Sequence, residues 1–98
     1  MEEDIKFHAL EFFKQLSRYL SENSIIDLNR YLKEYQNKYK NLYFFKYRDE
    51  IERNLLATYL IQNDIIELKE VVKQTGDKFY TLTENGKKIM IENKKSFD

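Results

Sequence analysis

The hydrophobic period of this chain switches from helix to strand just after Asn63, and that switch restricts the fold more than any other feature of the sequence. Up to that point apolar residues recur every three or four positions, the spacing of one helix face. Beyond it Ile66, Leu68 and Val72 alternate with Glu67, Lys69 and Lys73, the spacing of a strand. Gln74-Thr75-Gly76-Asp77 is a turn signal, and Phe79, Tyr80, Thr81 and Leu82 form a short return strand. The expected element is a hairpin over 65–82. Thr83 then caps a final helix over 84–95 that carries Ile89 and Met90.

Three helices are expected ahead of the hairpin. The first covers 3–20, with Ile5, Ala9, Phe12, Phe13, Leu16, Tyr19 and Leu20 as its apolar stripe. Ser21-Glu22-Asn23-Ser24 ends it, Ile25-Ile26 is a short apolar pair that suits a stub of strand, and Asp27 is a good N-cap for the next helix. That second helix, with Leu28, Tyr31, Leu32 and Tyr35, runs to about 37 or beyond. The third covers 48–62, its apolar side centred between Leu55 and Leu56 near Tyr59, and Asn63 suits the left-handed residue that closes it. Residues 38–47 read equally as a helix extension, a loop or an aromatic plug. The order gives an α+β fold, mainly α, in a single domain over 1–98.

Composition removes several functional classes. The chain has no Cys, so disulfides and Cys-ligated metals are ruled out, and one histidine, His8, cannot build a zinc site. We expect no cofactor. No apolar run approaches the ~20 residues that span a bilayer, and the acidic start Met-Glu-Glu-Asp is the wrong charge for a signal peptide, so the expected location is cytoplasmic. Catalysis is not expected: there is no Gly-rich phosphate loop, no Ser-His pairing and no metal-ligand spacing.

The formal charge is zero, but it is unevenly spread. Residues 1–34 carry 5 basic and 7 acidic groups, and residues 49–98 carry 8 and 10. Between them Lys38, Lys40, Lys46 and Arg48 stand without an acid. A phosphate backbone responds to such a local field more than to the sum.

The segment Phe79-Tyr80-Thr81-Leu82-Thr83-Glu84-Asn85-Gly86 resembles the strand-to-helix junction of winged helix-turn-helix regulators of the MarR and PadR type, in which Tyr/Phe-x-Leu-Thr-x-x-Gly closes the wing and starts the last helix. The run from Leu56 to Glu67 resembles their recognition helix, its closing turn and the first wing strand. The likeness covers residues 48–90 and extends over 1–37 only through helix order. It implies a winged helix with three N-terminal helices, a hairpin wing and a C-terminal helix, and it implies duplex DNA as partner. The chain departs from the pattern in one respect, since up to ten residues separate the second and third helices where a few are usual.

On a helical wheel the side of the third helix opposite its apolar centre holds Tyr47, Glu50, Arg53, Asn54, Ala57 and Ile61. Arg and Asn are shaped for paired hydrogen bonds to guanine and adenine edges, and a small Ala permits close approach to the groove floor. The candidate contacts are therefore Arg53 and Asn54 on bases, and Tyr47 and Thr58 on backbone or a thymine methyl, with Ala57 between them. Lys69, Lys73 and Lys78 on the hairpin suit phosphate, as do Lys38 and Lys40, while Lys46 and Arg48 offset Glu50 and Glu52. The surplus apolar residues Phe7, Leu10, Phe13, Ile89, Ile91 and Phe97 point to a homodimer. The principal expectation is a sequence-specific DNA-binding transcription regulator. The alternative is a winged helix that contacts protein and not DNA, which the neutral charge favours.

Overall fold

A computed structural model of the protein describes residues 2–31, 34 and 50–97, with side chains over 6–31, 34 and 54–97. Helix α1 spans Glu2–Leu16 and tightens into a 3-10 turn over Ser17–Tyr19. Residues 28–31 are helical. Helix α2 is Glu50–Gln62, strands β1 (Ile66–Val71) and β2 (Lys78–Leu82) form an antiparallel hairpin, and helix α3 is Glu84–Lys95. The protein is thus α+β and mainly helical.

Asp27 begins the helical residues that follow it as expected: its carboxylate accepts the Arg30 N–H at 3.3 Å. The Ile25-Ile26 pair is a stub of strand. Ile26 N–H donates to Tyr80 O at 2.8 Å and Tyr80 N–H donates back to Ile26 O at 2.9 Å, so β2 is flanked on both sides. A bulge between Leu68 and Glu70 interrupts the β1–β2 ladder, which runs from Ile66↔Leu82 to Val71↔Lys78.

One core unites these elements. Ala9, Phe12, Phe13 and Leu16 of α1 meet Leu56, Ala57 and Leu60 of α2, with Ile26, Leu28, Ile65, Ile66, Tyr80, Leu82 and Met90 closing the sides. Ser17 is buried too; its hydroxyl donates to Phe13 O at 2.7 Å and accepts from Asn93 Nδ2 at 3.1 Å, which ties the end of α1 to α3. The Arg18 guanidinium lies 4.0 Å from the centre of the Phe97 ring, a second tie between the same elements. His8 is buried, with Phe7 edge-on to its ring.

Three expectations about single residues need correction. Tyr19 is 71% exposed and leaves the α1 stripe, because the 3-10 turn changes the angular step per residue and swings the ring into solvent. Leu55 is 43% exposed while Ala57 is 8% exposed, so the buried side of α2 is centred on Leu56 and Leu60. The left-handed residue closing α2 is Asp64, at φ 57, and not Asn63. Ile65 N–H reaches back to Leu60 O and Asp64 N–H to Ile61 O, the paired bonds of a Schellman close. Asn63 follows the last helical residue, Gln62, and its side-chain amide donates to Tyr59 O at 2.8 Å.

Burial of Tyr80 raises its phenol above the ordinary value of 10.0, because the apolar surroundings disfavour the phenolate. The native state therefore holds this proton more tightly than the unfolded chain. The resulting stability is fully present below about pH 10 and is lost as pH rises through the folded value. In alkaline thermal melts Tyr80→Phe is expected to show a shallower fall in Tm than the parent, and identical slopes would refute the assignment.

Candidate nucleic-acid interface

The junction between β2 and α3 sets where the hairpin stands. Leu82 is buried, and Thr83 follows it as the N-cap of α3, accepting the Gly86 N–H at 2.9 Å. The same hydroxyl donates toward the carbonyls of Asp64 and Ile65, and Thr83 N–H donates to Ile65 O at 3.2 Å. Asn85 Nδ2 adds bonds to Asn63 O and Asp64 O at 3.4 and 3.2 Å. The end of α2, the root of the hairpin and the start of α3 are in this way fastened at one point. Gly86 permits it, since a Cβ there would lie 1.9 Å from Ile65 O.

The hairpin consequently leaves directly from the C-terminal end of α2, whose exposed side can be read from burial. That side presents Asn54, Leu55, Thr58, Ile61 and Gln62. Asn54 and Gln62 are eight steps apart along the helix, or ~12 Å. No residue between 54 and 62 carries a charge.

Of the residues expected at the interface, Asn54 and Thr58 are exposed together on this side, separated by one helical turn. Ala57 is a correction: it lies against the core and offers no close approach to a ligand, because Leu56 and Leu60 turn their own side of the helix inward and Ala57 shares it. The backbone of Arg53 belongs to α2, but its side chain lies outside the described residues, as do Lys38, Lys40, Lys46, Tyr47 and Arg48 altogether. Leu55 and Gln62 were not anticipated. Counting large apolar residues draws Leu55 into the core; the i,i+4 pair Leu56 and Leu60, with Ala57 beside it, would have indicated the true orientation.

Lys69, Lys73 and Lys78 are exposed on the hairpin. Among the described residues the ion pairs are Arg30–Glu34, Lys87–Glu84 and Lys95–Glu92, and none engages these three lysines. Glu67, Glu70 and Asp77 lie on the same hairpin and are exposed as well, so it presents charges of both signs. Gly76, at φ 75, turns the tip, where Gly76 N–H donates to Val72 O at 2.7 Å and Val72 N–H donates to Asp77 O at 2.8 Å.

A groove between α1 and α3 is lined by Phe7, Leu10, Phe13 and Ile89, together with the polar residues Glu11, Lys14 and Asn93. Phe7 is 55% exposed there. Among the described residues there is no group of three potential metal ligands, and no helix is long and apolar enough to cross a membrane. Comparison of the chain with protein-family models, curated proteins and solved structures finds no match.

Proposed function

We propose that this protein is a winged-helix regulator that binds duplex DNA sequence-specifically, with α2 in the major groove and the hairpin as a wing on the phosphate backbone. The observation that carries the reading is the exposed side of α2, bearing Asn54 and Thr58, together with a hairpin whose three lysines have no ion-pair partner among the described residues. A helix is the right width for the major groove, and the Thr83 junction holds the hairpin at a fixed place relative to it.

A second copy of the chain is the proposed occupant of the α1–α3 groove. Glu11 and Lys14 lie three residues apart on its edge, so two α1 helices crossing antiparallel about a two-fold axis would set each Glu11 against the mate's Lys14. A dimer of this kind presents two α2 helices to an inverted repeat.

The test is a mobility shift of random duplex over a series of salt concentrations. Binding should weaken steeply with salt. The triple variant Lys69→Ala, Lys73→Ala, Lys78→Ala should flatten the slope of log K against log salt by about 0.9 for each phosphate contact removed. One observation favours a protein partner instead: Leu55 and Ile61, 43% and 41% exposed, give the α2 side an apolar character. Absence of any shift at micromolar protein and low salt would support that second reading.

A further inference from the structure

We infer that Asn85 is a self-modification site: opening of the α2–hairpin–α3 junction exposes it to deamidation, which turns it into an aspartyl or isoaspartyl residue and weakens the junction for good. The chain has two glycines, and Gly86 is the one that follows an asparagine. An asparagine side-chain amide is open to attack by the backbone nitrogen of the next residue, and a glycine there has no Cβ to obstruct the approach. The Gly86 nitrogen bonds to Asn85 Cγ and gives up its proton, the Cγ–Nδ2 bond breaks, and ammonia leaves with that proton. Water then opens the five-membered imide. Cleavage between Cγ and the nitrogen gives aspartate. Cleavage at the main-chain carbonyl gives isoaspartate, whose backbone is one methylene longer.

The fold blocks the first step. Gly86 N–H, the attacking group, is engaged by the Thr83 hydroxyl at 2.9 Å. Asn85 Nδ2, the leaving group, donates to Asn63 O and Asp64 O at 3.4 and 3.2 Å, which tethers the amide to the end of α2. Asn85 is also the second residue of α3, and a helical ψ of about −42° keeps the attacking nitrogen out of the plane that imide closure needs. The Thr83 cap supports all of this, since without it the first turn of α3 frays. Asn85 is exposed, so water reaches it as soon as that turn opens.

The products do not restore what is lost. A carboxylate has no proton to donate, so Asn63 O and Asp64 O lose their Asn85 donor. Aspartate keeps the backbone length and gains from the positive end of the helix, which offsets part of the loss. Isoaspartate does not, because its extra methylene enters the chain beside Gly86, where even a Cβ would lie 1.9 Å from Ile65 O. The isoaspartyl junction therefore opens more readily than the original, and the change accumulates with time.

The experiment incubates the full chain in mildly alkaline buffer, with and without unfolding concentrations of urea, and follows peptide mass and isoaspartate content at residue 85. Conversion in urea should be about tenfold faster or more than in buffer. Thr83→Ala should raise the rate in buffer about fivefold and leave the rate in urea unchanged, while Thr83→Ser should stay near the parent. If Thr83→Ala fails to fold, the parent in a rising urea series supplies the comparison, its conversion accelerating in step with the loss of helical circular dichroism. The isoaspartyl form, purified after ageing, should show faster amide exchange at Thr83 and Gly86 than the fresh chain. Absence of conversion in urea would overturn the site. Equal rates in buffer and urea, or a folded Thr83→Ala no faster than the parent, would overturn its protection by the junction. Unchanged exchange in the isoaspartyl form would overturn the weakening.

Discussion

Gly86→Ala is expected to lower the free energy of unfolding by about 3 kcal/mol or more, an overpacking cost at the upper end of the usual range. The new methyl group would lie 1.9 Å from Ile65 O and 2.9 Å from Ile65 C, and both are backbone atoms with little freedom to move. Ile65 N–H is engaged by Leu60 O, and Ile65 O accepts from Thr83 N–H and the Thr83 hydroxyl. Relieving the overlap therefore means breaking the fastening between α2, the hairpin and α3. For a domain of this size the loss corresponds to a fall in Tm of roughly 12 °C or more. Gly76→Ala is the control. Nothing lies within 4 Å of a Cβ at Gly76, so its cost comes from the positive φ alone, about 1 kcal/mol. A Gly86→Ala protein that melts no lower than Gly76→Ala would show that the junction has more room than its geometry indicates.

The second large effect is expected at Phe12. Its ring is 2% exposed and faces the core from α1, so Phe12→Ala should cost about 3–5 kcal/mol from lost burial and the cavity left behind. Phe7, little more than one turn earlier, lies in the groove and is more than half exposed. Phe7→Ser combined with Leu10→Ser should cost the protomer about 2 kcal/mol, less than Phe12→Ala because both side chains are partly exposed, and shift the species seen by analytical ultracentrifugation from dimer to monomer. A parent protein that is monomeric at all concentrations would remove the dimer proposal, and a Phe12→Ala variant as stable as the parent would contradict the placement of the core.

The C-terminal half was the more legible part of the sequence. Leu82, Thr83 and Gly86 perform the jobs their residue types imply: a buried strand end, a hydroxyl cap and a missing side chain at a close approach. Their order is also short-range, so local chemistry alone decides it. Asp27 was legible for the same reason. Misreadings fell where tertiary packing chose between neighbours of similar type. Leu55 and Leu56 are identical in hydrophobicity, and only the position of α1 decides which of them is covered. Ala57 looks like a surface residue by size but is small enough to let α1 pack close. Asn63 and Asp64 both tolerate a left-handed backbone, and the second of the two adopts it, beyond a helix that ends at Gln62 as expected. At the candidate interface the hairpin lysines and the pair Asn54 and Thr58 lie exposed where expected, whereas Ala57 had to be given up.

The pairing of Ile26 with Tyr80 has a consequence for how the protein can be divided. A segment of the N-terminal half supplies the outer neighbour of β2, and Phe12, Phe13 and Leu28 fill the space beneath it. A fragment starting at residue 50 would retain every residue of the candidate DNA surface that lies on α2 and the hairpin. It would nonetheless lack the third chain segment against which the hairpin is braced, and the orientation of the hairpin relative to α2 would rest on the Thr83 and Asn85 fastening and on what is left of the core. The surface proposed to meet DNA is thus indivisible from the first thirty residues, although none of them belongs to it.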